Sequence, residues 1–201
     1  MEIDQVLKNK KIRFAVFVDG DLTWSLPGIE QSLKILTINY DLKGIWQFDK
    51  KLVNHKGIKI TLWYLRTFGI VDFIFLALFS LKTRISRLIN GSPLFFHSLA
   101  DDYRVPHFCA SSPNQAEVAK WVKGNGVDVI LILVDQILKK EIISAPKIGL
   151  INKHSALLPS CRGIFPYIWS SLNGIPAGIS FHKVDVGIDT GEILVQRKYI
   201  A

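Results

Sequence analysis

The 201-residue chain has little cysteine and no segment typical of a linker. Its two cysteines, Cys109 and Cys161, lie far apart, so the sequence predicts neither a disulfide framework nor a cysteine metal site. No metal is therefore expected. Stretches rich in Pro, Gly or Ser, repeats and low-complexity tracts are also missing, which predicts a single domain over residues 1–201.

Three motifs of common enzyme classes are missing as well. The first predicted strand is followed by VDGDLTWSL, which lacks the G-x-G-x-x-G pattern of dinucleotide sites. The phosphate-binding loop G-x-x-x-x-G-K-[ST] and the nucleophile motif G-x-S-x-G are absent too. A nicotinamide or flavin site, ATP hydrolysis and a serine hydrolase of that class are therefore unsupported.

Acidic residues are scarcer than basic ones, 17 against 25, and the net charge is +8. This balance favours anionic partners. The basic residues are dispersed, without a basic-region helix or an aromatic RNA-binding pattern, so we expect a basic rim around an anionic small-molecule site and no nucleic acid. The N-terminus lacks the apolar core of a signal peptide, which favours a cytoplasmic location.

The one long hydrophobic run, Thr61–Leu81, is interrupted by Arg66 and Asp72. A membrane-spanning helix needs about 20 predominantly apolar residues. The favoured interpretation is therefore a buried or partly buried helix packed on a sheet. The second interpretation is a helix lying on a membrane surface, anchored by the following KTRISR, which would place the protein at the inner face of the membrane. A true span is the third.

Apolar runs alternate with helical patterns along the chain, which predicts an α/β fold with a mostly parallel sheet and helices on both faces. The last two strands are close in sequence and predict an antiparallel edge at the C-terminus. The predicted strands are Lys11–Asp19, Gly44–Phe48, Val105–Ala110, Val127–Val134, Gly149–His154, Ala177–Val184 and Glu192–Tyr199. The predicted helices, besides the hydrophobic run, are Gly28–Leu36, Gln115–Lys123, Leu138–Ser144 and Pro166–Leu172.

Polar residues at the end of the strand Gly149–His154 form a candidate catalytic group. Asn152 and His154 are two positions apart, so their side chains share one face of the strand. They lie at its carboxyl end, where ligands bind in such sheets. An amide beside an imidazole suits oxyanion stabilisation and proton transfer, and Asp189 from a later loop would complete the set. Taken singly, each residue also fits an ordinary structural role.

Several spaced motifs, from about Val127 to Gln196, resemble those of the folate-dependent formyltransferases. The residues that carry the resemblance are Asn152-Lys153-His154, Leu157-Leu158-Pro159, Arg162-Gly163, Pro166, Trp169, Asn173-Gly174, Gly178, His182 and Asp189-Thr190-Gly191, with Gln136-Ile137-Leu138 and Pro146-Lys147-Ile148-Gly149 upstream. The resemblance implies a Rossmann-like domain, 10-formyltetrahydrofolate as co-substrate and a small-molecule amine as acceptor.

The resemblance also implies roles for individual residues. Asn152, His154 and Asp189 would be catalytic, and the spacing from His182 favours Asp189 over Asp185. The residues expected to bind the folate are Gln136, Ile137, Leu138, Leu158, Pro159 and Asp185. The residues expected to bind the acceptor are Arg162, Gly163 and His182, although His182 could instead orient Asp189 or only pack.

The chain departs from the family pattern at three places. Ser155-Ala156 stands where many members have Pro-Ser after the catalytic His, and Cys161 replaces a common aromatic residue. These changes affect the motif loop rather than the catalytic trio. The chain also ends at Ala201, where members of the family usually continue, so we expect a truncated or a minimal domain.

The acceptor is predicted by elimination among the family's members. The basic loop and C-terminal domain of the initiator-tRNA enzyme, and the phosphate-binding Gly-Ser/Asn pattern of the purine enzyme, are not found in this sequence. What remains is an N-formyltransferase for nucleotide-linked amino sugars of surface polysaccharides. A methionyl-tRNA or glycinamide-ribonucleotide formyltransferase, a formyltetrahydrofolate hydrolase and a catalytically silent folate- or nucleotide-binding module stay open, as does a homodimer.

Overall fold

The computed structural model describes residues 11–51, 55 and 57–199, and in this part seven strands form one sheet. The strands are β1 (Arg13–Val18), β2 (Asp41–Phe48), β3 (His107–Ala110), β4 (Val129–Leu133), β5 (Gly149–His154), β6 (Gly178–Lys183) and β7 (Ile193–Lys198). The helices are α1 (Ser25–Asn39), α2 (Ile58–Ile89), α3 (Phe96–Asp102), α4 (Ala116–Gly124), α5 (Lys140–Ile143) and α6 (Pro166–Leu172).

The sheet has the order β3-β2-β1-β4-β5-β6-β7. Its first five strands run parallel, and β6 and β7 are antiparallel. The predicted fold class, a Rossmann-like α/β domain with an antiparallel C-terminal edge, is therefore confirmed. All seven predicted strands are present, with ends shifted by a few residues at most, and β5 and α6 have the predicted bounds.

Helices cover both faces of the sheet, as expected for a mostly parallel sheet. On one face, buried side chains of α1 and α3 pack on β1 and β2. On the other face, buried side chains of α4 and α5 pack on β1, β2 and β4. Residues Ala15, Val16, Phe17 and Val18 are fully buried because β1 lies at the centre of the sheet. The short helix α3 was missed in the sequence, since seven residues show too little periodicity.

The prediction of a buried helix over Thr61–Leu81 is wrong. That segment lies within α2, a 32-residue helix whose apolar side chains are largely exposed, and α2 is interrupted at Gly69, whose φ of 78° and ψ of 172° are not helical. The apolar residues occur all around the helix, and most of them are exposed. Hydrophobicity alone indicates that a surface avoids water, but it does not distinguish burial in the core from contact with a membrane or a partner.

Several contacts hold α2 along the body of the domain, among them a hydrogen bond from Thr23 Oγ1 to Ser80 Oγ at 3.2 Å. Trp63 stacks on Phe165 with ring centroids 5.7 Å apart. Farther along, Phe79 stacks on Trp24 of the turn before α1, at 4.7 Å. At the C-terminal end, buried Arg87 forms an ion pair with Glu30 of α1, with an N–O distance of 2.9 Å.

By length and hydropathy, α2 is the one helix in the described part of the chain that could cross a membrane. Its most apolar 18-residue window has a mean hydropathy of 1.7, and 0% of that window is buried. The helix is therefore neither a core helix nor, at residues 58–89, an N-terminal signal sequence.

Candidate active site

The carboxyl end of β5 brings two of the predicted catalytic side chains together. Asn152 pairs with His182 of β6 in the antiparallel register, and His154 pairs with Ser180. Because side chains alternate along a strand, Asn152, His154 and His182 lie on one face of this strand pair. The imidazoles of His154 and His182 are almost completely buried, with 5% and 2% of their surfaces exposed.

Asp189 reaches this group from the loop between β6 and β7. Its Oδ2 lies 3.4 Å from His154 Nδ1, and its Oδ1 lies 3.4 Å from His182 Nε2. The backbone N–H of Gly163 donates to Oδ2 at 2.8 Å, which fixes the carboxylate. Asp189 has a φ of 51°, a left-handed conformation that Asp tolerates better than most residues. The structure thus joins Asn152, His154 and Asp189 in one cluster, as the sequence predicted.

The hydrogen bonds of His182 determine its tautomer. Nδ1 lies 2.8 Å from the carbonyl oxygen of Lys183, which can only accept, so Nδ1 carries the proton. In the neutral ring, Nε2 is then an acceptor for Asn152 Nδ2 at 3.2 Å. The second Nδ2 hydrogen faces Asp189 Oδ1 at 3.5 Å, a long contact. His182 therefore orients the Asn152 amide and leaves one of its N–H groups weakly engaged.

His154 is held by the motif loop, residues 155–165. Its Nε2 lies 2.8 Å from the carbonyl oxygen of Cys161, so Nε2 donates and carries the proton in the neutral ring. Nδ1, which faces Asp189, is then the basic nitrogen. A proton received at Nδ1 would face the half-buried Asp189 carboxylate. The pair can therefore accept a proton in one step and return it in another.

The motif loop is fastened to the end of the sheet by a second set of hydrogen bonds. Ser180 Oγ donates to the carbonyl oxygen of Ala156 at 2.6 Å and accepts from the N–H of Leu158 at 3.0 Å. Gln196 of β7 donates to the carbonyl oxygen of Leu158 at 2.7 Å. The position of the loop, and with it the Cys161 carbonyl, therefore depends on the antiparallel edge of the sheet.

Five of the six residues expected to bind the folate lie on the loop after β4 and on the motif loop, and the sixth, Asp185, lies on the loop between β6 and β7. Gln136 donates to the carbonyl oxygens of Asp49 and Ser111, which ties the loop after β4 to the ends of β2 and β3. Ile137 is 72% exposed, whereas Leu138 packs against the core. On the motif loop, the Leu158 side chain is buried and Pro159 is exposed.

Arg162 and Asp185 lie outside the hydrogen-bonded cluster. The Arg162 side chain is exposed on the motif loop. Asp185 accepts hydrogen bonds from Thr190 Oγ1 at 2.6 Å and from the Gly187 N–H at 3.0 Å, and these bonds lower its pKa. Asp185 thereby shapes the turn that carries Asp189.

A second group of ionisable residues, which the sequence reading missed, follows β1, β2 and β4 at the same edge of the sheet. Burial raises the pKa of Asp19 to about 6 despite the opposing effect of Lys50, and burial also raises the pKa of Asp135. Burial opposes the charge on Lys50, but Asp19 and Tyr64 raise its pKa overall. Since one strand separates β1 from β5, the ends of the strands that carry Asp19 and Asn152 are about 10 Å apart. We call it the switch-point group, because the strand order reverses between β1 and β4.

Comparison with known proteins identifies the family. The profile of the family described as formyl transferase matches residues 84–200, which is more than half of the chain. The chain belongs to the formyl transferase family. The resemblance seen in the sequence motifs is thereby confirmed, and the formyl donor of this family is 10-formyltetrahydrofolate.

Two curated relatives are tRNA formyltransferases. Methionyl-tRNA formyltransferase of Sorangium cellulosum is 39% identical over 84 residues, which are 41% of this chain and 27% of that protein. The enzyme of Geotalea uraniireducens is 36% identical over 101 residues, 49% of this chain and 32% of that protein. The matched regions span about a third or less of these relatives' own length.

Solved structures show the same fold. Glycinamide ribonucleotide transformylase 1 from Geobacillus kaustophilus has a TM-score of 0.61 at 19% identity, covering 94% of this chain and 82% of that chain. The names of the Geobacillus kaustophilus protein and of the two curated relatives do not describe an amino-sugar formyltransferase. The identity of the acceptor therefore stays a prediction.

Proposed function

We propose that this chain transfers a formyl group from 10-formyltetrahydrofolate to a primary amine, with Asn152, His154 and Asp189 as its catalytic residues. The observation that carries the proposal is the convergence of these three side chains at the carboxyl end of β5. An amide donor, an imidazole and a carboxylate are the groups that this reaction requires, and the chain belongs to a formyl transferase family.

The reaction begins when the amine nitrogen attacks the formyl carbon. The oxygen of the formyl group then becomes an oxyanion. The weakly engaged N–H of Asn152 is the donor that we assign to this oxyanion. A preorganised donor of this kind stabilises developing charge without reorganisation during the reaction. The bond between the formyl carbon and the folate nitrogen then breaks, and the proton lost by the amine passes to that nitrogen. The amine becomes a formamide and tetrahydrofolate leaves.

Proton movement is the part assigned to His154 and Asp189. Asp189 accepts the proton from the attacking amine, directly or through water, and passes it to His154 Nδ1, which the carboxylate faces. The resulting imidazolium, stabilised by the again ionised carboxylate, gives its Nε2 proton to the departing folate nitrogen. We propose that the oxyanion or the departing folate nitrogen replaces the Cys161 carbonyl as the partner of His154 Nε2. Gly163 supports Asp189 through its backbone N–H, and His182 supports Asn152.

The folate is proposed to lie between the loop after β4 and the motif loop. Ile137 and Pro159 have exposed side chains that can contact its rings. Gln136, Leu138 and Leu158 have engaged or buried side chains, so we propose that they shape these loops and offer backbone groups. Asp185 is proposed to act through the turn at Asp189. Arg162 is proposed to bind an anionic part of a substrate.

We propose a nucleotide-linked amino sugar as the acceptor. The loop after β1 carries Asp19 and Asp21, and their carboxylates oppose a phosphate and favour an amine or sugar hydroxyls at that position. The second candidate acceptor is a methionyl-tRNA, which the curated relatives favour. Hydrolysis of the donor by water is the third, since it would use the same catalytic trio.

The remaining proposals concern the setting of the reaction. We propose that residues 1–201 contribute to one catalytic domain and that this domain works in the cytoplasm. The exposed side of α2 is proposed to be an interaction surface.

The proposal is tested by incubating the protein with 10-formyltetrahydrofolate and a panel of nucleotide-linked amino sugars, with formylation followed as a mass gain. We expect a gain for at least one sugar, and His154→Ala should abolish it. His107→Ala should keep it, because His107 is a half-buried histidine at the amino end of β3, whereas the candidate site lies at the carboxyl end of β5. Donor breakdown without any amine would instead indicate a hydrolase, and formylation of methionyl-tRNA alone would favour the second candidate.

A further inference from the structure

The outer face of α2 is a continuous apolar surface on the part of the helix after Gly69. Its members recur every three or four residues and are all exposed: Val71, Phe75, Leu78, Leu81, Ile85 and Leu88. They extend over about 26 Å of helix. Monomeric soluble proteins rarely expose an apolar surface of this extent, and such surfaces mark sites of interaction.

Basic side chains lie beside this face. Exposed Lys82 borders the groove formed by Leu78, Leu81 and Ile85, and exposed Arg84 borders the groove at Ile85 and Leu88. Asp72 is the single acidic residue of the whole helix, against five Lys and Arg. An apolar face flanked by cations is typical of helices that lie on an anionic membrane surface.

The contacts of α2 exclude a membrane-spanning orientation in this conformation. Trp63, Phe79 and Arg87 are all held against the body of the domain, so the full length of the helix lies along the protein surface. A helix fixed in this way can enter a bilayer only with its outer face, parallel to the membrane plane.

We propose that the outer face of α2 binds an anionic lipid bilayer. A second copy of the chain fits this face less well, because self-association would bring Lys82 and Arg84 close to the same cations of the partner, and like charges oppose docking. A bilayer of anionic lipid complements both the apolar side chains and the charge. The stacking of Trp63 on Phe165 links α2 to the motif loop, so the bound protein would hold its active site close to the membrane.

The experiment is co-sedimentation of the protein with vesicles of phosphatidylcholine alone and of phosphatidylcholine mixed with phosphatidylglycerol. We expect binding to the mixed vesicles that weakens with salt and is much smaller on neutral ones. Leu78→Glu should lower the binding constant about tenfold or more, because it removes one large apolar side chain that the bilayer would bury. Val195→Glu is the matched control, since Leu78 and Val195 are both 57% exposed, and it should bind as the parent does.

Three outcomes would overturn the proposal. These are no binding to mixed vesicles, an equal loss in both variants, and a concentration-dependent dimer that Leu78→Glu abolishes without any vesicle binding. The last result would assign the outer face of α2 to a second copy. Lipid binding does not depend on the proposed formyl transfer, and formylation of a soluble amine measured without vesicles reports that activity separately.

Discussion

Replacing Asp19 by Asn should stabilise the protein at neutral and alkaline pH. The folded-state pKa of Asp19 is about 6, compared with an ordinary value of 3.8, and it already includes the attraction of Lys50. A difference of about 2 pH units corresponds to roughly 3 kcal/mol of lost stability when the carboxyl is ionised. The asparagine side chain would keep the shape of the carboxyl group and an acceptor for the N–H of Asp21.

The pH dependence of this gain follows from the direction of the shift. Because the folded state binds the Asp19 proton more tightly than the unfolded chain, the stability of the parent protein falls as the pH rises from about 4 to about 6 and then levels off. The gain for Asp19→Asn should therefore be roughly 3 kcal/mol at about pH 8 and about 1 kcal/mol at about pH 4.5.

Urea unfolding of parent and variant at these two pH values measures the difference. Asp102→Asn, at an exposed position, is the control and should change little at either pH. An equal gain for Asp19→Asn at both pH values, or a loss at the higher one, would refute the reasoning. A functional role for the switch-point group predicts such a carboxylate, which lowers the stability of the folded protein near the candidate active site.

Three further predictions concern the supports of the site and of α2. His182→Ala should lower kcat about 100-fold with little change in KM, because the Asn152 amide loses its orientation; unchanged kcat would assign His182 to packing. Gly191→Ala should abolish formylation, because the added Cβ would overlap the Lys183 carbonyl and displace the catalytic loop, whereas Gly28→Ala has open space and should stay active. Arg87→Ala leaves the buried Glu30 carboxylate with Lys34 as its remaining ion-pair partner and removes a charged hydrogen bond, so it should lower the free energy of unfolding in urea by about 2 kcal/mol, more than Lys82→Ala at an exposed position.

Much of the fold could be predicted from the sequence because buried strands have short apolar runs with clear ends. Gly149–His154 and Pro166–Leu172 were predicted with their observed bounds. The error at Thr61–Leu81 has a physical cause, since a helix that is apolar on every side carries the same pattern in a core, on a membrane or against a partner. Only the three-dimensional contacts show that this helix is held along one side.

The sequence predicts the side chains of the candidate site but not the backbone groups that hold them. Asn152 and His154 follow from strand periodicity, and Asp189 followed from the family resemblance. The Cys161 carbonyl and the Gly163 N–H, which hold His154 and Asp189, have no sequence signature because every residue offers the same groups. The contact between Asn152 and His182 could have been found only from the register of two antiparallel strands.

The most direct test of the central claim measures the release of tetrahydrofolate from 10-formyltetrahydrofolate by the parent protein and by Asp189→Asn. Each protein is assayed with and without the acceptor amine identified in the panel. The account predicts release that requires the amine, matches formamide formation one for one and falls at least about a hundredfold in the variant. A rate of release that is the same with and without the amine, or equal rates in parent and variant, would contradict it.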